Sequence, residues 1–465
     1  MSTTVASDRL IRTVDPSSGE PLAAYEPDSP GALERKLAAA AAAFKSWRTR
    51  SFAERGAIVR RAAALLRERK AEIAALASRE MGKALVESEA EVEKCAGGCE
   101  YYAEHAAAQL AGEPIAANAS RSYVAYRPLG VLLAIMPWNF PYWQVFRAAA
   151  PALMAGNTVV LKHAANVSGV ALEIERIFAA AGLPEGAFTT LLVASREMEA
   201  VVADRRIAAV TLTGSEGAGS AVAATAGRHL KKTVLELGGS DAFIVLSDAD
   251  IEAAARTAVR ARFQNCGQSC IAAKRFLVEA PVHDAFVEAF VAFSRELVVG
   301  DPLDRATQMG PLARADLRDA LAAQVEASLQ RGARLALGGV ALERPGYFYA
   351  PTILTGVDDT MPVFNEETFG PAAAVIRVRD ADEAVDLANA SEYGLGGNVW
   401  TRDVERAEAL AVRLESGAVF INGMTASDPR LPFGGIKKSG YGRELSALGI
   451  REFVNIQTVW IGPPR

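Results

Sequence analysis

Between residues 30 and 110, apolar side chains recur three and four positions apart among Ala, Leu, Glu, Arg and Lys, as in Ala53-Glu-Arg-Gly-Ala-Ile-Val-Arg-Arg-Ala-Ala-Ala-Leu-Leu66. That spacing lays an apolar stripe along a 3.6-residue turn and predicts a run of amphipathic helices. From Val131 the rhythm changes. Short apolar runs, Val131 to Met136, Thr158 to Leu161, Phe188 to Val193 and Ala208 to Thr213, alternate with helix-like stretches such as Val170 to Ala180. Apolar runs of strand length separated by helical segments are the pattern of parallel β/α units. A second region of this kind extends from near Leu237 to about Ala426, with strand-like Ala242 to Leu246, Phe276 to Val278 and Ala372 to Val378. Two pieces outside both regions, Arg121 to Arg127 and Phe453 to Ile461, alternate residue types as exposed strands do, and such strands can pair across subunits. The expected fold is α/β: two doubly wound domains with a cleft between them and a small strand-rich element.

The length agrees, because 465 residues exceed what one hydrophobic core usually supports. Half the residues are hydrophobic and the net charge is −5, which leaves no electrostatic footprint for nucleic acid and points to small neutral or anionic partners. The first twelve residues lack an apolar segment of signal-peptide length, and no apolar run is long enough to span a membrane, so the expectation is a cytosolic enzyme with no membrane partner. Four cysteines are too few for a disulfide framework, and the four histidines show no ligand spacing for zinc. Cys95 and Cys99, one helical turn apart, read as packed thiols.

Three segments carry chemistry. In Phe263-Gln-Asn-Cys-Gly-Gln-Ser-Cys270, a thiol follows a Gly-Gln-Ser turn that can present it to a cleft. The same loop also suits an inert core cysteine. In Val234-Leu-Glu-Leu-Gly-Gly239, a carboxylate sits in an apolar run, where desolvation raises its pKa and makes it a general base. The other reading pairs Glu236 with Lys231 or Lys232. In Pro137-Trp-Asn-Phe-Pro141, Asn139 falls at a strand's carboxyl end, placed either to donate to an oxyanion or to cap the next helix.

These segments, in the order Asn, Glu, Cys, resemble the aldehyde dehydrogenase superfamily, from about residue 12 to the end. Thr213-Gly-Ser-Glu-Gly-Ala-Gly219, Glu366-Glu-Thr-Phe-Gly-Pro371 and Pro432-Phe-Gly-Gly-Ile-Lys-Lys-Ser-Gly440 match it as well. The resemblance implies oxidation of an aldehyde to an acid through a thioester. Cys270 is the implied nucleophile, Glu236 the base, and the Asn139 amide with the Cys270 N–H the oxyanion hole. It also implies a dinucleotide-binding domain at 1–120 and 131–235, a catalytic domain at 236–430, and oligomerisation strands at 121–130 and 440–465 of a homodimer or homotetramer.

For the cofactor, the resemblance assigns the pyrophosphate to Gly214, Ser215 and Gly219, and the adenosine ribose to Lys162. It gives the nicotinamide riboside to Glu367 and Phe369, with Trp138 in the same set. After Lys162 the chain reads His163-Ala-Ala165 where many members carry Pro, a small residue and Glu. Without that acid nothing repels a 2′-phosphate, so NADP is expected to be favoured over NAD; the alternative is that Ala165 is merely permissive and both serve.

Within the superfamily the chain is most similar to the compact bacterial succinate-semialdehyde dehydrogenases. Arg147, about two helical turns beyond Asn139, is then a clamp for a substrate carboxylate. Ser427 is a second contact, Trp143 a channel wall, and Ser269 part of the same substrate set. Open alternatives are an Arg147 bridge to an acid such as Asp428, glutarate semialdehyde or a broader range of aliphatic aldehydes, and a cysteine-dependent ester hydrolase. Cys266 either packs beneath the loop or forms a transient disulfide with Cys270.

Overall fold

The computed structural model describes residues 10–462. Residues 1–9 and 463–465, the outer ends of two expected ranges, lie outside the described residues. The helical run is present as Pro30–Trp47, Phe52–Glu68, Lys70–Met81 and Leu85–Gln109, the last called α1. Its starts and stops are written locally. Ser29 accepts from the Ala32 N–H ahead of Pro30, Ser51 and Glu54 close a capping box, and Gly82 at φ 82° ends the third helix. No helix among the described residues is long and apolar enough to cross a membrane.

Five parallel strands, Val131–Met136, Thr158–His163, Phe188–Thr190, Ile207–Thr213 and Lys232–Glu236, form the first sheet. Its spatial order places 207–213 and 158–163 on either side of 131–136. The switch point therefore lies between 131–136 and 207–213, and ligands of open α/β sheets gather beyond the carboxyl ends at such a point. Two helices follow from those ends: Trp143–Ala155 (α2) and Glu216–Arg228 (α3).

The second sheet has seven strands, ordered 334–337, 352–355, 372–378, 273–279, 241–245, 396–400 and 418–421, all parallel to their neighbours except the edge strand Arg334–Leu337. Helix Ile251–Phe263 (α4) leads into the loop that carries Cys270. Although Cys270 and Phe369 lie in loops between strands of the second sheet, both pack on the core of the first.

The two outlying strands pair with each other rather than waiting for another subunit. Arg121–Pro128 and Val454–Ile461 are antiparallel from Val454↔Pro128 to Ile461↔Arg121, with Glu113–Pro114 on the far side, so 454–461 keeps an open edge. The expected oligomerisation range 440–465 also divides. Gly440–Tyr441 pairs antiparallel with 232–236 and extends the first sheet, because its glycines allow the chain to run against Leu235.

Candidate active site

The site lies where the carboxyl ends of the first sheet face the loops that precede the strands of the second. A cavity of about 360 Å³ there is lined by Asn139 and Cys270 together with Trp138, Gly214, Ser215 and Phe369.

The thiol loop is held by strain and by buried cations. Asn265, Cys266 and Gly267 follow one another at φ 54°, 55° and 70°. Two non-glycine residues in the left-handed region persist only where the surroundings over-determine them. Here Arg262, at the end of α4, donates to the carbonyls of Gly267 (2.8 Å), Thr368 (3.2 Å), Gly370 and Ala273 (3.1 Å). Lys274 donates to the carbonyls of Ser269 (3.0 Å) and Cys270 (2.9 Å), and pairs with Glu367 at 3.3 Å. Cys266 is buried in the core of the second sheet, which is the packing arrangement. Ser269 is buried beside the thiol. Burial pushes the Cys270 thiol up to about 12, with Arg147 and Lys274 opposing and Glu367 and Glu236 reinforcing the rise. At neutral pH the thiol therefore holds its proton and needs a base.

Glu236 ends the last parallel strand of the first sheet and is fully buried, with neither carboxylate oxygen hydrogen-bonded. Burial raises its pKa well above the ordinary carboxylate value, the charge of Glu444 adds to the rise, and Arg147 and Arg443 oppose it. The two lysines that offered an alternative partner are engaged elsewhere. Lys231 donates to the Val202 carbonyl at 2.6 Å and also to that of Asp204; Lys232 pairs with Glu452 at 2.7 Å. Room for the carboxylate comes from Gly434, at φ 151°, where a Cβ would sit 2.5 Å from Glu236 Oε1.

Asn139 does not cap α2. Glu91, reaching across from α1, accepts from the Tyr142 and Trp143 N–H groups at 2.8 Å each and fills that need. The Asn139 amide is left facing the cleft, its Nδ2 on the Gln268 carbonyl at 3.0 Å and its Oδ1 accepting from Gln144 at 3.1 Å. His163 fixes the same loop. Its Nδ1 lies 3.1 Å from the Met136 carbonyl and 2.9 Å from the Ala164 nitrogen, and its Nε2 lies 2.9 Å from the Pro141 carbonyl. Burial holds this imidazole down to about 4 and therefore neutral.

Two turns of the first sheet approach the cavity. Ser215 caps α3, accepting from Ala218 at 3.4 Å, so Gly214 and Ser215 stand at a helix N-terminus suited to an anion. Gly219, expected among the pyrophosphate contacts, faces Leu237 instead: a Cβ there would sit 2.6 Å from the leucine, so this glycine lets α3 pack on the sheet. Glu367 accepts from the Gly239 N–H at 3.0 Å. Along the outer side of the switch point, a second cavity of about 530 Å³ is lined by Lys162, Ser195, Arg196, Glu199 and Arg228 with apolar Ile135 and Leu212. Arg228 neutralises Glu199 at 2.7 Å, and burial lowers the pKa of Lys162. Ala165 opens the exposed turn just after the Lys162 strand.

Arg147 has an ion-pair partner that the sequence reading did not name. Its partner is Glu444 rather than Asp428, and both are buried; Arg147 also donates to Thr213 at 3.1 Å and lies 4.7 Å from the Phe433 ring centre. The Glu444 pairing engages the Arg147 Nε, and the Thr213 hydroxyl engages one terminal nitrogen. Asp428 pairs with Arg430 at 2.6 Å. Trp143 and Ser427 are joined, the indole N–H donating to Ser427 Oγ at 3.0 Å, and Trp143 walls a third cavity of about 450 Å³ behind Phe140 and Gln264. Arg262, Lys274, Glu91 and Glu444 are the residues the sequence reading passed over. A lysine and an arginine at the start of the strand 273–279, next to apolar Phe276 to Val278, are a legible sign of buried charge; Glu444, distant in the chain, carries no such sign.

Comparison with known proteins agrees with this geometry. The profile of the Aldehyde dehydrogenase family matches residues 3–459. The chain is 51% identical over 451 residues to a protein of Synechocystis named probable succinate-semialdehyde dehydrogenase [NADP(+)], covering 97% of this chain and 99% of that one. It is 52% identical over 454 residues to succinate-semialdehyde dehydrogenase [NADP(+)] 1 of Mycobacterium tuberculosis, with the same coverage. Among solved structures, succinic semialdehyde dehydrogenase from Streptococcus pyogenes in complex with NADP+ superposes with a TM-score of 0.95 at 38% identity, over 97% of this chain and all of that one.

Proposed function

The chain belongs to the aldehyde dehydrogenase family, and from that premise we propose that it oxidises succinate semialdehyde to succinate with NADP as the favoured hydride acceptor. The observation that carries the reading is the shared cavity, in which the Cys270 thiol and the Asn139 amide line the same space as Gly214, Ser215, Glu367 and Phe369.

Cys270 loses its proton to Glu236, whose desolvated carboxylate is a strong enough base for a thiol held high by burial. The thiolate adds to the aldehyde carbon, and the oxyanion is held by Asn139 Nδ2 and the Cys270 N–H. The nicotinamide, when bound, supplies the hydride acceptor that turns the hemithioacetal into a thioester. Glu236 passes the thiol's proton to solvent and then takes one from water, and the hydroxide adds to the thioester carbon, which releases the acid as the C–S bond breaks and the Cys270 thiolate leaves. Arg147, buried among Glu236, Glu444 and the thiol, acts by its charge, opposing the rise of both the Cys270 and Glu236 pKa values. Lys162 with Arg196 and Arg228 fits a 2′-phosphate, Glu199 being neutralised, and Ala165 puts no acid in its way. The open edge of 454–461, with exposed Ile456 and Trp460, supports self-association through the strand-rich element.

Initial rates with succinate semialdehyde, glutarate semialdehyde and butanal, each with NADP and NAD, test the reading. The expected order is NADP over NAD and succinate semialdehyde over butanal. Equal turnover of butanal would leave a broad aldehyde dehydrogenase, and ester cleavage with no dinucleotide reduction would replace the reading by a hydrolase.

A further inference from the structure

Arg262 and Lys274 hold the thiol loop by its carbonyls from Gly267 to Cys270. Its start is held by a residue that takes no part in the chemistry. The backbone N–H of Asn265, first of the three left-handed residues, donates to both carboxylate oxygens of Glu87, at 3.0 and 3.2 Å. Glu87 is half-buried in the first turn of α1, on the wall of the 450 Å³ cavity.

Asn265 connects this contact to the reacting groups. Its side-chain amide donates to the Asn139 carbonyl at 2.7 Å and to the Gln268 carbonyl at 3.1 Å, and Asn139 Nδ2 reaches that same Gln268 carbonyl. The Asn265 carbonyl in turn accepts from the Gln268 N–H at 3.0 Å and from the Gln268 side-chain amide at 3.2 Å. Asn265 thereby ties the oxyanion donor to the segment two residues ahead of Cys270. A non-glycine residue at φ 54° keeps that conformation only under constraint. An ionised carboxylate grips a backbone N–H more firmly than a neutral acceptor does.

We infer that Glu87, as a carboxylate, is a positioning residue of the reaction: it pins the start of the thiol loop through the Asn265 N–H and so sets the spacing of the Cys270 sulfur and the Asn139 amide. The inference rests on the roles proposed above for Cys270 and Asn139. Glu87 is not on the wall of the Cys270 cavity and acts through Asn265. Small errors in the placement of reacting groups cost rate rather than binding.

The charged and titratable groups facing Glu87 are Lys83 just before α1, Glu91 on α1, Arg260 on α4 and Cys266 in the loop, with Lys94 on the same cavity wall. Loss of water around the carboxylate pushes its pKa up to about 7; Glu91 adds to the rise, while Lys83, the Asn265 N–H and Arg260 oppose it. Below about pH 7 the group carries a proton and its grip on the N–H weakens; above it the charged form holds the loop.

The test reads the first turnover, as NADPH absorbance in a stopped-flow instrument with saturating NADP and aldehyde, in Glu87→Leu and Glu87→Gln. Glu87→Leu is expected to slow that turnover about 10- to 100-fold, the range for a lost hydrogen bond to a charged group, equally with succinate semialdehyde and butanal and with KM for NADP unchanged. Glu87→Gln keeps an acceptor oxygen without the charge and should recover most of the loss. The ratio of its rate to the wild-type rate should climb as pH falls through about 7, where the wild-type carboxylate is itself protonated. That ratio cancels the titrations of Cys270 and Glu236, which both proteins share, and it decides the matter alone if Glu87→Leu does not fold. A ratio constant across that range, or a wild-type rate in Glu87→Leu, would overturn the inference. A slowing matched by a rise in KM for NADP would also overturn it, by reducing Glu87 to a structural role. A first turnover that survives Cys270→Ala would overturn the reading of the site and the inference together, whereas an inactive Cys270→Ala beside unaffected Glu87 variants would overturn the inference alone.

Discussion

The two sheets meet the same cleft from opposite ends, and they are built there in opposite ways. The first sheet offers its carboxyl ends at a switch point, with short open turns, Pro137-Trp-Asn139 and Gly214-Ser215, leading into helices. The second offers its amino ends, preceded by a loop with three successive left-handed residues and fastened by Arg262 and Lys274 to six backbone carbonyls. On the function proposed above, the first side is the cofactor wall, which works by shape and by backbone dipoles supplied by the fold itself, and the second holds the nucleophile at one point against its own strain, which takes dedicated buried charge.

The largest effect should come from the fastened side. Cys270→Ala is expected to abolish dehydrogenase turnover, by at least about 10⁴-fold, with NADP binding by fluorescence titration unchanged. Retained binding would confirm that the two sides are separable. Glu236→Gln should cost roughly 10²- to 10⁴-fold in kcat. The same variant tests the burial argument. A carboxyl whose folded pKa is raised disfavours the folded state increasingly as pH climbs from its unfolded value toward its folded one. Glu236→Gln should therefore be more stable than wild type in thermal melts, by a margin that grows with pH; a constant margin would contradict a desolvated acid.

Removing one fastener is the next smaller change. Lys274→Met leaves two carbonyls and Glu367 without their cation and should destabilise the protein by roughly 3 kcal/mol, with lower kcat and little change in KM for NADP. If KM for NADP rose as much as kcat fell, the division between the sheets would be too sharp. The mildest change is on the open wall. Ala165→Glu should shift the ratio of kcat/KM from NADP toward NAD by about tenfold, or 1.4 kcal/mol, without touching kcat.

What could be read in the sequence follows the same division. The alternation of strand and helix from Val131 located four of the six strands of the first sheet, because a strand buried on both faces is written as an apolar run, whereas Lys232–Glu236, polar at its start, and the short Gly440–Tyr441 carry no such run. Asn139, Glu236 and Cys270 were legible from local context and family resemblance together. Contacts between distant segments were not. Nothing in the neighbourhood of Arg147 names Glu444, nearly three hundred positions away, and nothing near Asn139 announces that Glu91 would take over the helix cap. The partner of Arg147 was missed for this reason: which carboxylate reaches a charged residue is decided by the fold and not by its neighbours in sequence. The packing of Gly219 on Leu237 was not legible either, since a glycine needed for close packing looks the same in sequence as one needed for a ligand.

The antiparallel strand Gly440–Tyr441 has a consequence for how the protein is made. The edge formed by 232–236 is completed by residues that leave the ribosome about two hundred positions later, and they bring Glu444 to Arg147 beside Glu236. Until then a nascent chain holds the nucleophile loop without the finished surroundings of its base, and its sheet edge stays open to wrong partners. The surroundings of Glu236 are thus completed only when residue 444 has been synthesised, and the exposed interval of the sheet edge falls between the emergence of residue 236 and that of residue 444.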